Sequence, residues 1–223
     1  MGFLPNMRVT WPRPIEYLGG QVTLRAMKRV KCGTENNLKL RKEGFIPARL
    51  QGDFLPTKML MLFGSELRPA ARAPGFQRRL VRLVLDDGEE VLALPWEADR
   101  TIDSRLTEIV HVGFKRWPRD PKTNPLKINI PVSIVNQEKI PAVKRGGYVH
   151  NMFDCIDGLP CVVKTPDFPH TFVADMDLAD AKGDFRWEQL KDSLPPGVKL
   201  QEGIRGFTDH PNFLVARAKK VRG

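Results

Sequence analysis

LVRLVLDDGEEVLALPW, residues 80–96, decides the fold. Two apolar runs with strand-like alternation flank Asp86-Asp87-Gly88-Glu89, and an Asp-Gly pair is the residue choice of a tight hairpin turn. The stretch is read as a β-hairpin. Upstream, VTLRAM alternates from Gln21 as a strand. LKLRKEG (38–44) is a short helix or a strand end stopped by Gly44, and FIPARL (45–50) runs extended because Pro47 biases Ile46 away from helix. LPTKMLMLF (55–63) is a strand leading into a short helical turn, GSELRPAAR, and residues 71–79 are a loop. Downstream, 98–108 is a loop or helical turn and IVHVGFKRW (109–117) another strand.

Around this core the chain changes character twice. Residues 1–20 read as an extended arm, with Pro5, Pro12 and Pro14 against helix and Gly19-Gly20 as a hinge. PRDPKTNP (118–125) has three prolines and no apolar residue, which makes it the linker and places a domain boundary near 120. Strand patterns then resume: LKINIPVSIV, YVHNMF after a KRGG turn, GLPCVVKT, HTFVADM, LPPGVKL and a closing FLVARAKKV. DFRWEQLKD (184–192) is read as a short helix. The expected class is mainly β: an arm at 1–20, a first domain at 21–120, and a second β-rich domain at 121–223 with one or two short helices and a basic tail.

At 223 residues the chain can bury one large core or two smaller ones. Its longest apolar patch of its kind, MLMLF (59–63), is far short of a membrane span, so a soluble chain with no membrane partner is expected. Three cysteines (Cys32, Cys155, Cys161) cannot all pair and form no CxxC; free thiols are expected rather than a disulfide framework or a zinc site. The first residues, with arginines and no acid before Glu16, faintly resemble an organellar presequence but are proline-broken and poor in serine.

The net charge of +10 suggests an anionic partner. Residues 1–120 carry 21 Lys/Arg against 14 Asp/Glu, whereas 121–223 carry 15 against 12, four of those cations lying in the last seven residues. The electrostatic function is therefore assigned to the first half and the C-terminal tail. RAMKRVKCGTENNLKLRKEGFIPAR (25–49) concentrates it, with eight Lys/Arg and only Glu35 and Glu43 opposing. Its cations alternate with apolar residues and are broken by Gly33, Gly44 and Pro47, which describes a folded cationic face rather than a disordered tail. Such a face either binds phosphate or is merely solvated. At 115–117, KRW sets two cations beside an indole that either stacks on a base or packs under the domain. The candidate RNA-binding residues are Arg25, Lys28, Arg29, Lys39, Arg41, Lys42, Arg49, His111, Lys115 and Arg116. Double-stranded RNA, recognised by shape across its wide minor groove, suits a rigid β surface.

Catalysis has little support. The four histidines lie in no nucleophile setting, and GxSxG, P-loop, HExxH and GxGxxG patterns are missing. His150 with Asp154 and Asp157 is the one acid–base or metal candidate, at a spacing that does not converge side chains on a strand-to-turn passage. No cofactor and no small-molecule substrate are expected.

The order of these features resembles the bacterial-type large-subunit ribosomal protein twenty-five, the CTC or general stress protein family. That family's long form reads RRLRxxGxIPAVxYG, HVDF, IPVxxxG…GG, IPExIEVDVSGLxxGD and LPxGV. Here stand LKLRKEGFIPARLQG, IVHVGF, INIPVSIV, KRGGYV, PDFPHTFVADMDLAD and LPPGV, collinear from about Gln21 to Leu200. The resemblance implies an N-terminal β-barrel that binds 5S ribosomal RNA, similar to the anticodon-binding domain of glutaminyl-tRNA synthetase. It also implies a second β domain at the central protuberance, with neighbouring large-subunit proteins as partners. Arg29, Lys39, Arg41 and His111 match the family's RNA-contacting pattern. Leu38, Gln51 and Gly113 depart from it; Gly113 removes a hydrogen-bond acceptor that no neighbour obviously restores. The departures resemble an organellar descendant, and the expected location is the mitochondrial ribosome, with bacterial cytoplasm and plastid as alternatives. The alternative function is a free RNA- or tRNA-binding β module acting in stress or ribosome assembly.

Overall fold

The computed structural model describes residues 22–73, 75–100, 109–153, 158–201 and 212–220, with the backbone alone at 99 and 100. The arm expected at 1–20 and most of the loop at 98–108 lie outside the described residues. The chain divides into two compact units, Met1–Arg119 and Asp120–Gly223.

In the first unit six strands close into a barrel: β1 (Val22–Lys28), β2 (Phe45–Gly52), β3 (Leu55–Phe63), β4 (Val81–Leu85), β5 (Glu90–Arg100) and β6 (Ile109–Arg116). Around it they run β1-β3-β2-β6-β5-β4. Closure comes through two parallel pairings, β1 with β4 and β2 with β6; the remaining neighbours are antiparallel. The hairpin read at 80–96 is β4–β5, with Gly88 at φ 84° in its turn. Strand alternation sends one set of side chains inward, among them Leu24, Ile46, Leu50, Leu60, Leu83, Val112 and Phe114, all fully buried. Their burial removes the barrel lining from water, the main force holding such a closed sheet.

Among the described residues this unit also holds two α-helices, α1 (Thr34–Lys42) and α2 (Gly64–Arg72). The helical turn expected after β3 is the nine-residue α2, whose Leu67, Ala70 and Ala71 join the barrel core. Between β1 and β2 the 38–44 ambiguity resolves as helix, and it starts earlier than expected, at Thr34. No residue of α1 is buried, so no apolar stripe announces it. Polar ties fix it instead: the Arg29 guanidinium donates to Asn37 Oδ1, and Arg41 Nε donates to the Val110 carbonyl at 3.0 Å.

Among its described residues the second unit contains three small sheets. β7 (Leu126–Ile130), β10 (Leu159–Val163) and β13 (Val198–Leu200) form an antiparallel sheet in the order β13-β10-β7. β8 (Val132–Val135) and β11 (Phe172–Asp175) pair parallel. β9 (Tyr148–Asn151), β12 (Asp184–Arg186) and β14 (Leu214–Lys219) form the antiparallel order β12-β14-β9. LKINIPVSIV, read as one alternating run, is split at Pro131 between two sheets, because proline lacks the N–H that a continuous ladder needs. DFRWEQLKD likewise divides, into β12 and the helix α4 (Trp187–Lys191), since Asp184–Arg186 pairs with β14. A second short helix, α3 (Pro141–Lys144), precedes β9. Phe153 and Trp187 bracket Phe213 at ring distances of 5.6 and 5.5 Å, joining the ends of this sheet to its core.

Candidate nucleic-acid interface

β6 sits between β2 and β5, and these three strands form the face that matters. Ala48 and Leu50 point into the barrel with no exposure, so Arg49 between them points out. Its register partner on β6 is Gly113, and the partner of Gly113 on the far side is Glu97 of β5. With no side chain at 113, the Arg49 guanidinium crosses the middle strand and pairs with Glu97 Oε2. It also lies over the Trp96 ring, 5.5 Å from the centroid. A Cβ on Gly113 would sit 3.0 Å from both Glu97 Oε2 and Trp96 Nε1. The acceptor that Gly113 removes in sequence is therefore restored in space: the Glu97 carboxylate occupies the surface above the glycine. A cross-strand neighbour 16 residues away cannot be identified before register is known.

His111 and Lys115, two residues either side of Gly113, share its outward face and are half-buried. Arg41 reaches Val110, the residue before His111, and so sets the last turn of α1 against the start of β6. Lys39 and Lys42, in the same last turn, are exposed. Three cations at a helix C-terminus are also favoured by the backbone dipole. Arg49, His111 and Lys115 thus share the outward face of β2 and β6, and Arg41 ties the last turn of α1, which carries Lys39 and Lys42, to the start of β6. Phosphates laid across this side would meet several donors at once, while the exposed indole of Trp96 offers a flat apolar face beside them.

The other four candidates have different surroundings. Arg25 pairs with buried Glu66 of α2 and lies 4.7 Å from the Phe63 ring centroid. Arg29 is 7% exposed and Arg116 is 4% exposed. Arg29 is held by Asn37, and Arg116, at an inward position of β6, lies 3.5 Å from Glu89. Lys28 is exposed, but it stands on β1, which β3 separates from β2. Arg25, Arg29 and Arg116 are thus engaged within the fold. Trp117 of the KRW run is half-buried and follows the end of β6. The aromatic exposed on this side is Trp96, which the pattern EVLALPW did not mark because a bulge between Pro95 and Glu97 alters the alternation there.

Among the described residues no group of three or more His, Cys, Asp or Glu could hold a metal ion. His150 is exposed on β9, and Asp154 and Asp157 lie outside the described residues. Cys161 is fully buried in β10, and burial pushes its thiol up to about 12; Cys32 is exposed.

No family model matches the chain. The large ribosomal subunit protein bL25 of Chelativorans sp. (strain BNC1) is 29% identical over 203 residues, which span 91% of this chain and 88% of that protein. The bL25 protein of Dechloromonas aromatica (strain RCB) is 26% identical over 181 residues, 81% of this chain and 84% of that protein. That of Bartonella tribocorum is 30% identical over 128 residues, covering 57% and 58% of the two chains.

Proposed function

As the chain belongs to the bL25 family of large-subunit ribosomal proteins, we propose that it is a structural constituent of the large ribosomal subunit and binds ribosomal RNA through the β2–β6–β5 side of its barrel. The observation that carries this is Arg49, His111 and Lys115 on the outward face of β2 and β6, with Arg41 tying the Lys39–Lys42 turn of α1 beside them and with Glu97 and Trp96 set over Gly113. Cations from separate elements that converge on one rigid surface suit the phosphate spacing of a duplex better than a diffuse basic coat does.

Within that reading, 5S ribosomal RNA at the central protuberance is the proposed partner. It is supported by the match of Lys39, Arg41 and His111 to the pattern of the family. The proposed compartment is the mitochondrial ribosome, supported by the departures at Leu38, Gln51 and Gly113; the relatives described above are bacterial. The protein then acts by holding RNA, and its residues perform no bond chemistry. Sedimentation of native particles at moderate salt tests the reading: the protein should travel with the large subunit, and its recovery at the top of the gradient would overturn it. Crosslinking followed by sequencing of the bound RNA distinguishes 5S from another rRNA segment.

A further inference from the structure

The second half of the chain is nearly neutral apart from its tail, yet folding gathers its cations. β9 and β14 pair with Tyr148 opposite Lys219 and His150 opposite Arg217, and all four side chains are exposed on the same face of the sheet. The KRGG turn brings two more. Gly147 N donates to Ala142 O at 2.9 Å, folding the chain back at the end of α3. A Cβ on Gly147 would lie 2.4 Å from Lys219 O and 2.6 Å from Ala142 O, so only glycine lets this turn press against the end of β14. Lys144 and Arg145, on the turn, thereby become neighbours of Lys219 and Lys220, some 75 residues later in the chain; all four are exposed. From the other edge, Gly183 packs against Ala218 and places exposed Lys182 beside the same strand end.

The acids at this end are already engaged. Asp184 is held by Arg217 through two bonds of 2.7 Å and lies 3.3 Å from Arg186. Asp180 Oδ1 accepts from the backbone N–H groups of Lys182 and Asp184, both at 2.9 Å. Exposed Lys144, Arg145, Lys182, Lys219 and Lys220 outnumber Asp180 and Asp184 at this end, and Tyr148, 52% exposed, stands on the same face.

We propose that this face of the β12-β14-β9 sheet, with the Lys144–Arg145 turn, is a second RNA-binding surface: Lys144, Arg145, Lys219 and Lys220 take phosphates and Tyr148 stacks on an unpaired base. An exposed strand face with an aromatic ring among cations is a general means of holding single-stranded or looped RNA. An acidic protein or an anionic membrane would use the charge but has no base to stack on the exposed ring of Tyr148. The inference rests on the ribosomal RNA reading above and adds a contact in the other unit.

The test uses the full chain, with transcripts of bacterial 5S and large-subunit rRNA as probes and affinity measured across a salt series. The triple variant Lys144→Gln/Arg145→Gln/Lys219→Gln should bind about tenfold more weakly at 0.1 M salt, with its log–log salt slope reduced by roughly two to three units. Tyr148→Ala should weaken binding with its slope unchanged, and lose photocrosslinking at 148. These side chains are exposed, and an unchanged thermal midpoint confirms that the variants are folded. If Lys39→Gln/Arg41→Gln weakens binding but the triple variant does not, the second surface is wrong and the barrel reading stands. If neither variant changes binding, both readings fall. If the triple variant keeps RNA affinity but loses binding to vesicles containing 30% phosphatidylserine, the surface serves a membrane and the proposal is overturned.

Discussion

Arg49 and Glu97 form an ion pair across an intervening strand: one stands on β2, the other on β5, and they meet over Gly113 of β6. A Cβ on the middle strand would meet Glu97 Oε2 at 3.0 Å, so an ordinary residue at 113 would push the bridge aside. A glycine in a barrel strand has thus been exchanged for a polar bridge on the barrel's outer surface.

That bridge restrains a cation on the proposed RNA side. Both side chains are about one-third exposed, so Glu97→Gln should cost no more than about 1 kcal/mol in a denaturant melt. The same variant frees Arg49 and should steepen the salt dependence of RNA binding by about one unit. A weaker complex with an unchanged slope would mean that the carboxylate itself accepts from the RNA.

Arg29 and Lys39 come from the same basic stretch but should behave oppositely. Arg29→Ala strands Asn37 and loosens the start of α1, so it should lower stability by about 1–3 kcal/mol and leave the salt slope unaltered. Lys39→Ala, on an exposed helix position, should leave the melt unaltered and flatten the slope by about one unit. Paired melts and salt titrations check both.

The β2–β3 turn stores strain. Asp53 and Phe54 are at φ 60° and 54°, the conformation for which two-residue hairpins favour glycine second, and Phe54 is 92% exposed. Phe54→Gly should raise stability by about 1 kcal/mol, because no packing is lost and the left-handed penalty is relieved. A lower melting midpoint would show that the ring packs against something.

Acid sensitivity should centre on Asp184. Its hydrogen bonds from Arg217, opposed by burial, hold its carboxyl below the usual range. The folded value is thus the lower one, so the contribution is complete above the unfolded value of about 3.9 and is lost as pH falls through the lowered folded value. In Arg217→Ala the stability at neutral pH should fall, and the unfolding free energy should depend less steeply on pH below about 4. Urea melts between pH 2 and 7 provide the readout.

The thiols should separate by accessibility. Under native conditions at pH 8, Cys32 should react with an alkylating reagent while Cys161 stays protected until unfolding, as burial both shields it and holds its proton. Mass mapping of the labelled peptides decides; fast native labelling of Cys161 would mean that β10 opens readily.

Local patterns were sufficient for much of this molecule. The β4–β5 hairpin, the extended FIPARL strand, the strand-to-helix step at Phe63–Gly64 and the mainly β class all follow from alternation, turn chemistry and proline sterics, which act within a few residues. Pro131 carried its signal too, since a proline inside an alternating run marks where a ladder breaks. The 25–49 stretch announced its charge but not its division of labour. Whether a given arginine faces phosphate or braces the fold depends on strand register and on which helix lies beside it. Arg29 and Arg41 are 12 residues apart in one basic run, and one is buried against Asn37 while the other anchors α1 to β6. Glu97 over Gly113, and Lys144 beside Lys219, are likewise products of register and closure, made between strands that the chain visits far apart. Composition and periodicity determined a mainly β chain with a cationic character; the pairing of the strands and the docking of α1 decided which charges share a surface.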